Sequence, residues 1–267
     1  MRDSADSVPT VKASMKLQLS DVTLVAIDTI CHQLVALAVK QCTDSAQFGA
    51  VQVHTDNPEP FQDHGLEATF VSVPPFSSLD EVMTYCWYRL PPYIETSHAL
   101  IVQWDSGIVC PAQWNKEFLE YDYIGAPWGW HGDAYEVGNG GFSLRSRRLM
   151  RHLAEHPQDF PLEHPEDDVL CRRYRPSLER SGFRWAPYDV ALQFSFERTG
   201  FSGIGRHFGY HGIFNWPRVF PTEALRKRTL LMLNNKYLSQ PKHLTELLSA
   251  VQRQSIAGSR GDKTLQL

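Results

Sequence analysis

The sequence predicts an α/β domain, a mixed but mostly parallel sheet flanked by helices, with a helical C-terminal appendage. Three observations carry this. The first ordered stretch reads strand, helix, strand, the βαβ unit whose right-handed crossover builds a parallel sheet. The strand candidates are short, continuous apolar runs, the pattern of strands buried on both faces. They end on the carboxylates Asp28, Asp56 and Asp105, and open α/β sheets bind ligands beyond the carboxyl ends of their strands.

Residues 1–18 read as a flexible lead-in, 19–220 as the main domain, 221–255 as C-terminal helices packed on it, and 256–267 as a disordered tail. DVTLVAIDT (Asp21 to Thr29) is the first buried strand. The helix CHQLVALAVKQC follows, with Leu34, Leu37, Ala38 and Cys42 near helical spacing. FGAVQVHTD (Phe48 to Asp56) is the second strand, closed by the turn Asn57-Pro58. ATFVSV gives a third short strand. Ser78 and Glu81 form a capping-box pattern before EVMTYCWYRL, a helix that stops at Pro91-Pro92. HALIVQW (His98 to Trp104) is another buried strand. An aromatic, turn-rich stretch then leads into EVGNGGFSLRSRR, residues 136–148. There FSL reads as a strand and Ser146 as the N-cap of the next helix, with Arg145, Arg147 and Arg148 on a solvated face. HPEDDVLCRRY (His164 to Tyr174) reads as a helix start, its acids at the positive end of the dipole. GFRWAPYDVALQFSFE reads as strand-like, near the sheet edge. Residues 205–217 form a loop dense in Gly, His and aromatics. Thr222 is a candidate cap for the helix EALRKRTLLMLNNKYL. A last helix starts near Lys242, with Leu244, Leu247, Leu248 and Val251 at amphipathic spacing.

The bulk properties exclude several classes. The chain has 267 residues, 42% of them hydrophobic and 21% charged, which is ordinary globular composition. A net charge of -4 points neither to nucleic acid nor to an anionic membrane as a partner. No window offers the ~20 apolar residues of a membrane span. The polar start lacks the apolar core of a signal peptide, so a cytoplasmic protein is expected. Five widely spaced cysteines without C-x-x-C read as small buried hydrophobes.

Three constellations can carry chemistry, and each has a plain structural alternative. Asp105 closes a buried strand, where it can hold a hard divalent cation or cap a helix. Gly138-Asn139-Gly140-Gly141 lets backbone approach a ligand, or simply makes a tight turn. It matches neither a P-loop nor a dinucleotide fingerprint. Just upstream, Trp128, Trp130, His131 and Tyr135 can stack on sugar faces or pack the loop. Glu166-Asp167-Asp168 crowds carboxylates, which raises some of their pKa values and suits a general base, or it marks a solvated helix start. His211, set among glycines and aromatics, is a metal ligand or a hydrogen-bonded loop residue. Asp28 and Asp56 are site-edge residues or caps and turns.

VQWDSGIVCPAQWNKEFLEYDYIGAPWGW followed by VGNGGFSLRSRRLM resembles a domain family of unknown function with the pattern QWDG…YDYIGAPW…VGNGGFSLRS, itself similar to glycosyltransferases. The resemblance runs from residue 21 to residue 217, with Ser106 standing where the family often has Gly. More widely the chain is similar to the GT-A glycosyltransferases, which implies a GT-A-like, Rossmann-like sheet with a nucleotide-sugar site at the strand ends. On that resemblance Asp28, Thr29, Asp56 and Gln103 would line the site of a nucleotide-diphospho-sugar, of UDP type. Gln103-Trp104-Asp105 stands where those enzymes carry Asp-x-Asp, so Asp105 with His211 would hold Mn²⁺ or Mg²⁺. Gly140, Gly141 and Trp128 would shape the sugar or acceptor pocket. Asp167, with Glu166 beside it, would be the base acting on a hydroxyl of a glycan or other small molecule. The rival expectations are a non-catalytic glycan or nucleotide-sugar binder and, third, a metal-dependent hydrolase.

Overall fold

The computed structural model describes residues 16–259. Of the expected lead-in over 1–18, residues 1–15 lie outside them and 17–18 are already strand. Of the expected tail over 256–267, residues 260–267 lie outside them and 256–259 continue the last helix. The expected α/β architecture is found: a six-stranded sheet of order β3-β2-β1-β4-β7-β6 flanked by helices. β1 (Leu17–Asp28), α1 (His32–Ser45) and β2 (Ala46–Thr55) form the first βαβ unit. α2 (Glu59–Gln62) and β3 (Thr69–Ser72) follow, then α3 (Leu79–Tyr88) and β4 (His98–Val102). β1, β2, β3 and β4 run parallel.

The continuous apolar runs have a direct cause. In β1, Val22, Leu24 and Ala26 belong to the core beneath α1, whereas Val25 faces a second core with Cys86 and Met150. β4 divides the same way, Leu100 and Val102 on one face, Ala99 and Ile101 on the other. Side chains alternate along a strand, so helices on both faces demand apolar residues at every position. Each such Val, Leu or Ile side chain contributes about 1.5–3 kcal/mol through burial.

β5 (Ser106–Ile108) leaves this sheet, and β6 (Tyr123–Ile124) and β7 (Phe142–Ser146) complete it, β7 pairing antiparallel with β4. α4 (Arg147–Glu155) starts as expected, Ser146 Oγ accepting the Leu149 N–H at 3.0 Å. The Ser78 cap also holds, its Oγ accepting the Glu81 N–H at 3.3 Å. Glu81 itself reaches back to Ser77. α5 (Glu166–Asp168), a π turn over Val169–Tyr174 and α6 (Arg175–Arg180) form one helical segment.

The strand expected over GFRWAPYDVALQFSFE is mostly helix. α7 spans Tyr188–Phe194, and only Ser195–Phe196 (β8) is strand. Pro187 pre-sets the helix start, and Ala191 and Phe194, three apart, put their buried side chains on one helical face. β8 pairs parallel with β9 (Gly209–His211), which pairs antiparallel with β5, giving a small second sheet. α8 (Trp216–Val219), α9 (Thr222–Leu233) and α10 (Pro241–Ser259) form the C-terminal appendage. Thr222 is the first helical residue rather than the cap, a place Pro221 holds, and α9 stops at Leu233. Arg228 fastens α9 to α1 through the Leu37 carbonyl and Gln41 Oε1, both at 3.3 Å.

Candidate active site

Parallel strands end at one edge of the sheet, so Asp28, Asp56 and the Gln103–Asp105 turn lie along that edge. β7 runs the other way, so the glycine stretch before it arrives at the same edge. The chain moves from β1 to β2 on one side, while β4 lies on the other. The gap between the ends of β1 and β4 is therefore the switch point where α/β sheets bind ligands. Asp28 and Asp105 flank it, both close enough to Cys31 to add to the desolvation that raises its thiol pKa.

The small sheet brings the late histidine here. Ser106 pairs with His211, and the Gly212 N–H donates to the Asp105 carbonyl at 3.0 Å. This puts His211 Nε2 3.5 Å from Asp105 Oδ1. The other ring nitrogen faces Glu197 Oε1 at 3.4 Å and Asn139 Nδ2 at 2.9 Å. Burial alone would lower the His211 pKa; the carboxylates of Asp105 and Glu197 outweigh it and carry it up to about 10. Asp105 Oδ1 is buried and makes no hydrogen bond. Ser106 closes the strand-end turn, its Oγ accepting the Gln103 N–H at 2.9 Å and donating to the Gln103 carbonyl at 3.1 Å.

The glycines are packed against the protein itself. A Cβ on Gly138 would sit 2.1 Å from the Trp128 ring, and one on Gly141 2.1 Å from His211 Nε2. One on Gly140 would sit 2.9 Å from Glu166 Oε2. Their expected role as free backbone donors is not met either: the Gly140 N–H donates to Asp167 Oδ2 at 3.3 Å, and the Gly141 N–H to Asn139 Oδ1 at 3.2 Å. Asn139 takes the left-handed conformation with φ of 67°, which asparagine tolerates better than most residues. Gly140 thus holds Asp167, and Gly141 leaves the room that His211 occupies, so adjacent residues meet the base candidate and the histidine.

Glu166 is not placed for chemistry. Its carboxylate is buried against Arg145, with Nη1 to Oε1 at 2.6 Å and Nη2 to Oε2 at 3.3 Å. Arg145 is correspondingly buried, not on a solvated helix face, because it lies on β7 rather than in the following helix. Asp167 differs from its neighbour. It is half-buried, and desolvation first, then the charge of Glu166, raises its pKa. The Gly140 and Asp168 N–H groups and the charge of His211 oppose that rise.

The remaining expected residues divide. Asp28 holds the turn between β1 and α1, accepting the Cys31 N–H at 2.9 Å and the Ile30 N–H at 3.2 Å. Thr29 Oγ1 accepts the Phe76 N–H at 2.8 Å, and Asp56 pairs with His32 Nε2 at 2.7 Å. The Gln103 N–H also donates to the Gly141 carbonyl at 3.1 Å, which ties the strand-end turn to the glycine stretch. Trp128 is buried beneath Gly138 and presents no open face; the exposed indole of this loop is Trp130, at 52%. Glu197 is the site residue that sequence reasoning misses, since it is simply the last residue of an apparent strand.

A divalent cation at Asp105 and His211 would have to displace the proton that Asp105 and Glu197 hold on the imidazole, since only the neutral ring ligates a metal. The buried Asp105 Oδ1 faces one imidazole nitrogen as an ion-pair partner, and Glu197 stands on the far ring nitrogen as an orienting partner. Among the described residues no group of three or more His, Cys, Asp or Glu forms a metal site, so most of the coordination would fall to substrate oxygens and water.

A family model described as "Protein of unknown function (DUF5672)" matches residues 77–211, which run from the start of α3 to His211. A search of curated proteins matched none. Among solved structures, a protein of Aquifex aeolicus VF5 aligns with TM-score 0.35 and 8% identity over 62% of this chain and 85% of its own. A glycosyltransferase involved in glycosylation of the major capsid of PBCV-1 aligns with TM-score 0.40 and 11% identity, over 71% and 93%. The glycosyltransferase GlyE of Streptococcus pneumoniae TIGR4 aligns with TM-score 0.41 and 11% identity, over 61% and 44%.

Proposed function

The chain belongs to the DUF5672 family of proteins of unknown function, and we propose that its activity is glycosyl transfer from a nucleotide-diphospho-sugar to an acceptor hydroxyl. One observation carries this reading. At the switch point of the sheet, Gly140 donates to an Asp167 carboxylate of raised pKa, and the adjacent Gly141 leaves room for His211, which pairs with Asp105. The resemblance of the QWD and GNGGFSLRS segments to glycosyltransferases supports it.

In this reading the donor lies in the crevice between the ends of β1 and β4. A Mg²⁺ or Mn²⁺ held by Asp105 and His211 would offset charge on the leaving diphosphate. Glu197 and Asn139 hold the His211 ring in register for that task. Asp167 takes the proton of the acceptor hydroxyl as its oxygen bonds to the anomeric carbon and the bond from that carbon to the diphosphate breaks. Gly140, donating to Asp167 Oδ2, fixes that carboxylate against the glycine stretch.

Thermal melting with a panel of nucleotide sugars and Mn²⁺ tests the reading. At least one donor is expected to raise Tm, by mass action, with ~2.7 kcal/mol of added stability at a hundredfold excess over Kd. Asp105→Ala should remove the metal-dependent part of that rise. A panel in which no nucleotide sugar stabilises the protein would point to a plain glycan binder instead.

A further inference from the structure

A second cleft, of about 340 Å³, lies where α10 closes on the segment following β8 and β9. Successive side chains of extended backbone point to opposite sides. Glu197 faces His211, whereas the next residue, Arg198, faces Glu246 of α10. Arg198, Phe214 and Arg218 make one wall. Thr245, Ser249 and Arg253 make the other, and their four-residue spacing stacks them on one face of α10. Leu247 and Ala250 are buried and seat the helix.

The cleft carries surplus positive charge: three guanidinium groups and the carboxylate of Glu246 line it. Glu246 is committed to Arg198 at 2.9 Å. Arg198 lies over the Phe214 ring at 4.4 Å and Arg218 over the Phe201 ring at 4.7 Å, contacts that orient guanidinium forks without neutralising them. Burial first, then the charge of Arg253, lowers the Arg218 pKa. Preset forks beside two hydroxyl groups match the planar, multidentate recognition of phosphoryl oxygens.

We propose that this cleft binds a phosphoryl or pyrophosphoryl group of a small molecule, at a site separate from Asp105 and His211. It is wired to that site through one buried amide. Asn215 Oδ1 accepts from Arg218 at 3.0 Å, while its Nδ2 donates to the carbonyls of Glu197 at 2.9 Å and His211 at 2.7 Å. Asn215, which holds the anion-reading Arg218, therefore also holds the two backbone segments carrying the histidine and its orienting carboxylate.

Calorimetry with inorganic pyrophosphate on the full chain in EDTA tests the proposal without depending on glycosyl transfer. Saturable binding is expected. Arg218→Gln and Arg253→Gln should each weaken it about tenfold or more, as loss of a charge-assisted hydrogen bond does. Arg253 is exposed, so Arg253→Gln should keep the wild-type melting curve, while Arg218→Gln also gives up the Asn215 contact. Asp105→Ala should leave the binding unchanged. Absence of saturable heat, heat that Asp105→Ala removes, or heat that both arginine variants leave intact overturns the proposal.

Discussion

Asp167→Asn is expected to leave donor binding close to wild type and to lower turnover by about 10²–10⁴-fold, the share a general base supplies. The raised pKa of Asp167 fixes two further signs. Activity should fall on an acid limb centred above the ordinary aspartate range, because the base must be ionised to accept a proton. Stability should respond in the opposite sense. Between the ordinary and the raised value the folded chain binds more proton at Asp167 than the unfolded chain does. This carboxyl's contribution to stability is therefore full below the ordinary value and lost as pH rises through the raised one. Asparagine removes the cost of that buried charge, so the variant should melt no lower than wild type at neutral pH while failing to transfer. Turnover with a donor found by thermal shift, alongside melting curves, separates the cases. Unchanged turnover would remove Asp167 from the base role.

The largest effect on stability is expected at the neighbouring ion pair. Arg145→Met leaves Glu166 charged and buried without its partner, which costs about 3–5 kcal/mol, or roughly 10 °C in Tm for a domain of this size. Arg145 also donates Nε–H to Ser143 Oγ at 3.0 Å and lies over the Tyr123 ring, whose hydroxyl holds the Asn139 carbonyl. Losing it should therefore loosen the glycine stretch as well. The double variant Arg145→Met with Glu166→Leu removes both charges and should recover most of the loss. Urea or thermal unfolding measures both. If Glu166→Gln kept full stability and lost only turnover, Glu166 would belong to the chemistry and not to the frame.

These residues also show where sequence reading reaches its limit. β1 and β4 were legible because burial on both faces leaves a continuous apolar run that few other elements produce. The edge carboxylates were legible for the same reason, standing at or just beyond the ends of such runs. The helix α7 was not, since Trp185, Phe194 and Phe196 favour strand locally and tertiary packing decides otherwise. Glycine density at 138–141 marked a close approach, but the approaching groups are Trp128, Glu166 and His211, which only the tertiary fold supplies. Glu197 and the pairing of His211 with Asp105 depend on a ladder between residues 106–108 and 209–211, which no local pattern encodes. Arg145 looked like part of a basic helix face until β7 placed it opposite Tyr123.

The most direct measurement is a crystal soaked with UDP and Mn²⁺, read by anomalous scattering. The manganese peak is expected at coordination distance from Asp105 Oδ1 and His211 Nε2, with the diphosphate on the ion and the uridine in the crevice between the ends of β1 and β4. Nucleotide density elsewhere, or manganese absent from Asp105 while UDP is bound, would rule out this site as the donor site of a metal-assisted transferase.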